Sequence, residues 1–487
     1  MVGGRRKKAV INMISKFISK KNKNLTLLKS FYVSIAVLLF SCDSKTRRAD
    51  DAVTSPPNIV ILLADDMGYG ELGCYGQQTI KTPHIDKMAS EGMRFTQFYA
   101  GSPVCAPSRG VLMTGIQVGN LNVRGNYGLA ADGSWGRVAL KKTEITIGEM
   151  LQKAGYQTAF IGKWHLGVPH DVSTWAAGRG FDYAVQEQWG DKAEGGKFDV
   201  DDHWVNGRDS VIHYDWKKYD SKDVFRTNLA IDFLNKERNP QKPLFLVMSY
   251  RTPHAHEPNL RETERYKNFG WPENERRHAS RISMLDEQVQ RLLDKLKDMG
   301  ELENTLVIFT SDNGPQAENH SELFFKSSGG LKGKKRDMYE GGVRVPMIAW
   351  WEGKIQPGTT SDHPGIFYDF MPTLAEIAGI EAPAQTDGIS FLPELLGKNQ
   401  KEHAHLYWEL QVGPKKEGFR QALRRGQWKV VHYEKSGLPE LYNIEKDLFE
   451  NSDQAQEQTE LLDEINTLMR NQSVPNPHWP FSGNNKE

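Results

Sequence analysis

The sequence is poor in three things. It has three cysteines in 487 residues, no surplus of charge (62 Lys and Arg against 62 Asp and Glu), and no apolar run long enough to cross a bilayer. Each absence excludes a class. Three thiols cannot build a disulfide framework or a cysteine-rich zinc site. Zero net charge gives no footing for nucleic acid, because phosphate binding draws on a basic surplus. A membrane span needs about 20 apolar residues, and the uncharged run at residues 31–41 has eleven. The length leaves room for one large α/β domain and a smaller one, at about 100–200 residues per domain. With so few cysteines, each needs its own explanation.

Residues 1–30 are basic and nearly free of acids, and the run at 31–41 follows them, which is the pattern of a secretory signal. The run ends Leu39-Phe40-Ser41-Cys42. A leucine, then a small residue, then cysteine resembles a bacterial lipoprotein signal, in which the cysteine becomes the lipidated first residue of the mature chain. The expectation is a signal peptide at 1–41 and a flexible linker at 42–57, rich in Ser, Thr, Asp and Pro. The protein is then exported to the periplasm or the outer membrane and cell surface, and meets a membrane only through a lipid anchor on Cys42.

From Asn58 the pattern is α/β. Residues 59–64, 244–248 and 306–310 are apolar runs of strand length, as in strands covered on both faces. A short strand is expected at 158–161. Residues 345–350 read similarly but contain Pro346, which predicts an edge strand. Ile282, Leu285, Val289, Leu292, Leu293 and Leu296 recur at helical spacing and stop at Gly300. Strands alternating with helices predict a mostly parallel central sheet between helices over 58–398. Over 399–487 a hairpin at 421–433, a strand at 440–442 and a polar helix at 455–470 predict a small C-terminal α+β subdomain with an antiparallel sheet.

Open α/β sheets bind ligands beyond the carboxyl ends of their strands. Four strands here are followed by Asp65-Asp66, by Asp312-Asn313, by Gly162-Lys163-Trp164-His165, and by Arg251-Thr252-Pro253-His254-Ala255-His256. The oxygens of Asp65, Asp66, Asp312 and Asn313 are hard donors suited to Ca²⁺ or Mg²⁺, whereas zinc would bring His or Cys. Each pair taken alone also reads as a helix cap or a turn. In Cys105-Ala106-Pro107-Ser108-Arg109 the proline predicts a helix starting just after the cysteine. A group at that position meets orphan N–H donors and the positive end of the dipole, and Arg109 returns to the same face four residues on. The plain alternative is a buried, inert thiol. Cys74 has no Pro or Arg downstream at that spacing and reads as structural.

Cys105-Ala106-Pro107-Ser108-Arg109 resembles the Cys-x-Pro-x-Arg signature of the type I sulfatases, of the alkaline-phosphatase-like superfamily, in which the cysteine is converted to Cα-formylglycine. Residues 58–70 are similar to that family's first metal-binding segment, and 162–167 to its second signature. Residues 311–314 and 335–342 match in the expected order, and the resemblance covers about residues 56–450. It implies a large α/β domain with a smaller C-terminal sheet. It also implies one Ca²⁺ held by Asp65, Asp66, Asp312 and Asn313, with the modified Cys105 completing the shell. Arg109 would hold the formylglycine hydrate, and Lys163 and Lys335 would clamp sulfate oxygens. His165 would act at the formylglycine end and His254 at the leaving group. Lys335, rather than Lys332 or Lys334, lies five residues before Glu340 as the motif requires. A formylglycine-generating maturation enzyme is the implied partner.

The implied activity is sulfate ester hydrolysis. Two alternatives stay open: a phosphate or phosphonate monoester hydrolase using the same metal motifs, and a non-catalytic glycan-binding lipoprotein should Cys105 stay unconverted. Residues 164–219 hold five of the twelve tryptophans, which suits either sugar rings or a self-packed insertion. Cell-surface placement and class together favour a sulfated polysaccharide or oligosaccharide as substrate. His256 would pack or touch substrate, and Asp201-Asp202-His203 admits a second metal.

Overall fold

The computed structural model describes residues 56–481, apart from 131–132, 170, 188–201, 208–209, 255–263 and 319. Cys42, the expected signal and most of the linker lie outside the described residues, as do His256, Trp189 and Asp201.

Ten strands form the main sheet. They are β1 (Asn58–Asp65), β2 (Met93–Phe95), β3 (Gln157–Gly162), β4 (Tyr183–Glu187), β5 (Asp202–Val205), β6 (Val211–His213), β7 (Leu244–Pro253), β8 (Thr305–Ser311), β9 (Met347–Trp350) and β10 (Thr359–Ser361). Their order is β10-β2-β9-β8-β1-β7-β3-β4-β5-β6. The centre, β8-β1-β7-β3-β4, is wholly parallel, and only β9 and β5 run against the rest. The expected edge strand is therefore an interior one. β9 pairs with β8 on one side and β2 on the other, because Pro346 stands just before the ladder and removes no bond from it.

Parallel central strands must be covered on both faces, and the alternation of side chains shows it. Ile59, Ile61 and Leu63 of β1 enter one core with Phe245, Val247, Leu306 and Ile308. Val60, Leu62 and Ala64 enter the other with Leu246, Met248, Val307 and Phe309. The second core is closed by the expected long helix, which starts earlier than its apolar spacing suggested (Glu273–Asp298) and buries Ile282, Leu285, Val289, Leu292 and Leu296.

The C-terminal strands β11 (Leu406–Gln411), β12 (Phe419–Arg425), β13 (Trp428–Tyr433) and β14 (Pro439–Asn443) form an antiparallel sheet in sequential order. A helix follows at Thr459–Arg470, beginning later than 455. Trp408, Leu423, Val430 and Leu441 belong to the same core as Ile59 and Ile61. Buried charge also crosses this junction: Lys429 Nζ of β13 lies 2.8 Å from Glu340 Oε1 and 3.0 Å from Glu450 Oε1, all three side chains fully buried.

Candidate active site

The carboxyl ends of β1, β8, β7 and β3 are neighbours in the sheet, so the chemistry after each strand converges. β1 delivers Asp65, and Asp66 turns the chain in the left-handed region at φ 66°. After β8 the Asp312 amide donates to Ala64 O at 3.2 Å, locking the two strand ends together. β3 ends at Gly162 with φ 119°, where a Cβ would stand 1.8 Å from Ser249 O, so only glycine lets Lys163 turn in at this point. His254 directly follows β7. Cys105 is itself the first residue of a helix (Cys105–Thr114) whose ten residues are all buried.

Nine of the ten expected polar and ionisable positions are joined by the following contacts. Lys163 Nζ donates to both oxygens of Asp65 at 2.8 Å. Lys335 Nζ donates to Asp66 Oδ2 at 2.7 Å, and His254 Nε2 lies 3.6 Å from the same atom. Arg109 donates from Nε at 2.8 Å and approaches from Nη2 at 2.7 Å to Asp312 Oδ2, and its Nη1 donates to Lys163 O and Ser249 Oγ. Cys105 Sγ lies 3.6 Å from Asp65 Oδ1 and 3.7 Å from Asp66 Oδ1. His165, at φ 64°, is electrostatically coupled to Arg137, Lys163 and Arg109. Lys332 pairs instead with Tyr442 and Lys334 with Glu322, which separates them from Lys335.

Burial sets the protonation states. It pushes the Cys105 thiol up to about 12. It lifts Asp312 to about 6 against the pull of Arg109. Burial alone would raise Asp65 too, but Lys163, His254, Arg109 and Arg251 hold it well below the usual carboxylate range. His165 and His254 are both held well below the imidazole range, chiefly by desolvation.

The donor set fits a hard divalent cation. Ligand atoms of Asp65, Asp66, Cys105 and Asp312 lie within 4.8 Å of one another. Asn313 Nδ2 donates to Asp66 Oδ1 at 2.7 Å and to Gly314 O, leaving Asn313 Oδ1 buried without a hydrogen-bond partner. A buried orphan acceptor beside three carboxylates is the arrangement a Ca²⁺ ion would satisfy.

Two further contributors join them: Arg251, from the strand end already noted, and Ser249, which no motif marks. Arg251 lies with Nη1 2.8 Å from Glu187 Oε1 and 3.9 Å from Asp65 Oδ2, with its Nε buried and unpartnered. Ser249 joins Arg109 to the Lys163 carbonyl, donating to that carbonyl at 2.7 Å. Both sit at the carboxyl end of β7, the position that could have flagged Ser249 too. Among the described tryptophans of the 164–219 segment, Trp164, Trp175 and Trp204 are buried and only Trp216 is exposed, which fits the self-packed reading. Asp202 pairs with His213 and His203 with Arg226, so these two do not converge on an ion.

The sulfatase family model matches residues 57–380, two-thirds of the chain. The chain belongs to the sulfatase family. A second model, N-sulphoglucosamine sulphohydrolase, C-terminal, matches 333–474. Arylsulfatase A of Homo sapiens is 33% identical over 389 residues, covering 73% of this chain and 71% of that protein. N-acetylgalactosamine-6-sulfatase of Canis lupus familiaris is 32% identical over 385 residues, covering 72% and 68%. The crystal structure of Ps i-CgsB in complex with k-i-k-neocarrahexaose superposes with a TM-score of 0.74 at 26% identity, over 88% of this chain and 95% of that one. As a sulfatase, the protein is an enzyme that hydrolyses sulfate esters, and the large mixed sheet with its small C-terminal antiparallel sheet is the fold of these relatives.

Proposed function

We propose that this sulfatase works through Cys105 converted to formylglycine, beside one Ca²⁺, on a sulfated oligosaccharide or polysaccharide outside the cytoplasm. The observation that carries the reading is Cys105: fully buried, first in its helix, and 3.6–3.7 Å from Asp65 and Asp66. Converted, this position supplies a hydrated aldehyde, whose one hydroxyl takes the sulfuryl group and whose other allows release as the aldehyde re-forms. Asp65, Asp66, Asp312, Asn313 and the converted Cys105 would hold the metal, which supplies Lewis-acid charge to the sulfate oxygens and the nucleophile.

The remaining work falls to the chain's own side chains. Arg109, clamped on Asp312, holds the nucleophile's oxygen against the helix N-terminus. Lys163 and Lys335 turn from Asp65 and Asp66 to the equatorial sulfate oxygens and neutralise charge developing there. Arg251 adds a further cation at the same edge. His254, neutral by itself, would be raised by the negative charge of a bound sulfate and then give its proton to the departing alcohol, and His165, also neutral, takes one from the second hydroxyl. The boundaries that suit this division are a catalytic domain at 58–398 and a C-terminal subdomain at 399–487.

The carbohydrate substrate is supported by the oligosaccharide complex of the similar structure and by the sugar sulfatase among the relatives. Export with a lipid on Cys42 is supported by the N-terminal pattern. No helix among the described residues is long and apolar enough to cross a membrane. The test is sulfate release from a panel of sulfated glycans, a chromogenic aryl sulfate and an aryl phosphate. Glycan turnover with kcat/KM well above both aryl esters is expected. Activity confined to the aryl sulfate would sink the glycan reading, and activity confined to the phosphate would sink the sulfate chemistry.

A further inference from the structure

A second group of ligating side chains lies apart from the catalytic cluster. Glu71 follows β1 on the segment that carries Asp66, His278 lies on the long helix Glu273–Asp298, and His320 sits on the segment between Asn313 and Lys335. All three are buried, at 0%, 1% and 6% exposure. Their ligand atoms fall within 4.8 Å of one another. Glu71 Oε1 contacts His278 Nε2 at 2.5 Å, while Glu71 Oε2 accepts the Gly68 N–H at 2.8 Å. The two imidazoles stack at 3.6 Å between centroids and 16° between planes.

Two observations argue against a purely structural cluster. His278 Nδ1 is buried and makes no hydrogen bond, and the His320 ring has only the neighbouring backbone at Gln316 and Ser321 to meet its nitrogens. Such an atom costs about 1–3 kcal/mol when nothing compensates it. Glu71, His278 and His320 also come from three separate segments of the chain, so no single turn or helix requires their ligand atoms to meet in the interior.

We propose that Glu71, His278 and His320 form a second metal site, for Zn²⁺ or a similar borderline transition ion, distinct in chemistry from the oxygen-only site at Asp65, Asp66 and Asp312. Two imidazoles and a carboxylate are a zinc donor set and a poor calcium one. Zinc–ligand bonds of about 2.0–2.2 Å imply ligands roughly 3.4 Å apart, so the rings rotate out of their stack to close on the ion. Ser327, whose hydroxyl neighbours Glu71, or a water takes the fourth position. The ion would pin together the segments that carry Asp66, Asn313 and Lys335, acting as a clamp apart from the catalytic cluster rather than in the reaction.

The experiment is metal content and thermal shift on the full-length enzyme in excess Ca²⁺. After Zn²⁺ loading and dialysis, the parent should retain about one equivalent of zinc and melt at a higher temperature than its zinc-free form. His320→Gln and His278→Gln should each lose both effects. His254→Ala should keep them, which separates this site from the catalytic one. Co²⁺ added to the parent should give the visible bands of a four-coordinate nitrogen–oxygen site, a readout independent of whether any variant folds. No retained zinc and no cobalt bands in the parent would overturn the proposal, as would zinc that His320→Gln retains or His254→Ala loses.

Discussion

At the scale of single residues, the site is a set of buried charges in mutual contact. Asp312 shows what that costs. With burial lifting it to about 6, it carries a proton below that pH, and the proton must leave before a cation can bind. Ca²⁺ affinity should therefore be flat above about pH 6 and weaken by about tenfold per unit below it, measured by calorimetry. A flat profile down to pH 5 would show that Asp312 stays ionised there. Lys335 belongs to the same scale. Lys335→Ala should lower kcat/KM by about 10²–10³-fold, the worth of one preorganised charge on a developing anion, with an unchanged melting temperature in saturating Ca²⁺. A variant within a few-fold of the parent would show that Lys335 does not touch the sulfate.

At the scale of elements, the strand ends and turns decide where those side chains point. Gly162→Ala would put a Cβ 1.8 Å from Ser249 O, displacing both the turn into Lys163 and the serine that Arg109 bonds. Activity should fall by at least about tenfold, since a shift of 1 Å far from the chemistry can cost about 10²-fold. Parent-like kinetics would mean the turn tolerates a side chain. The C-terminal sheet depends on Lys429 in a comparable way. Lys429→Met leaves Glu450 buried without its cation and leaves Glu340 to Arg344, which should cost up to about 3–5 kcal/mol, read as a lower denaturation midpoint. These features explain how far the sequence could be read. Apolar runs such as 59–64 and 306–310 announce strands because both of their faces are covered, and motif spacing announces Asp65, Cys105, Lys335 and their partners because chemistry fixes it. Pro346 misled because a proline one residue outside a ladder looks the same in sequence as one inside it. Ser249, Lys429 and the Glu71–His278–His320 group were silent because their partners lie far away in the chain and no local period marks them.

At the scale of the whole molecule, the three cysteines have three separate surroundings. Cys74 is a partly exposed thiol raised by burial and Asp86, Cys42 lies outside the described residues, and Cys105 sits at the focus of four strand ends. The zero net charge conceals Arg109, Lys163, Lys335 and Arg251 gathered around Asp65 and Asp66. That cationic focus is where a sulfate would go, and its usefulness turns on what Cys105 has become. Mass spectrometry of the Cys105 peptide from active enzyme made in its native host is the most direct test. Conversion predicts a peptide about 18 Da lighter than the cysteine form, an aldehyde in place of the thiol, with sulfate-releasing activity proportional to the converted fraction. Fully active enzyme whose peptide carries only the unmodified cysteine would contradict the account.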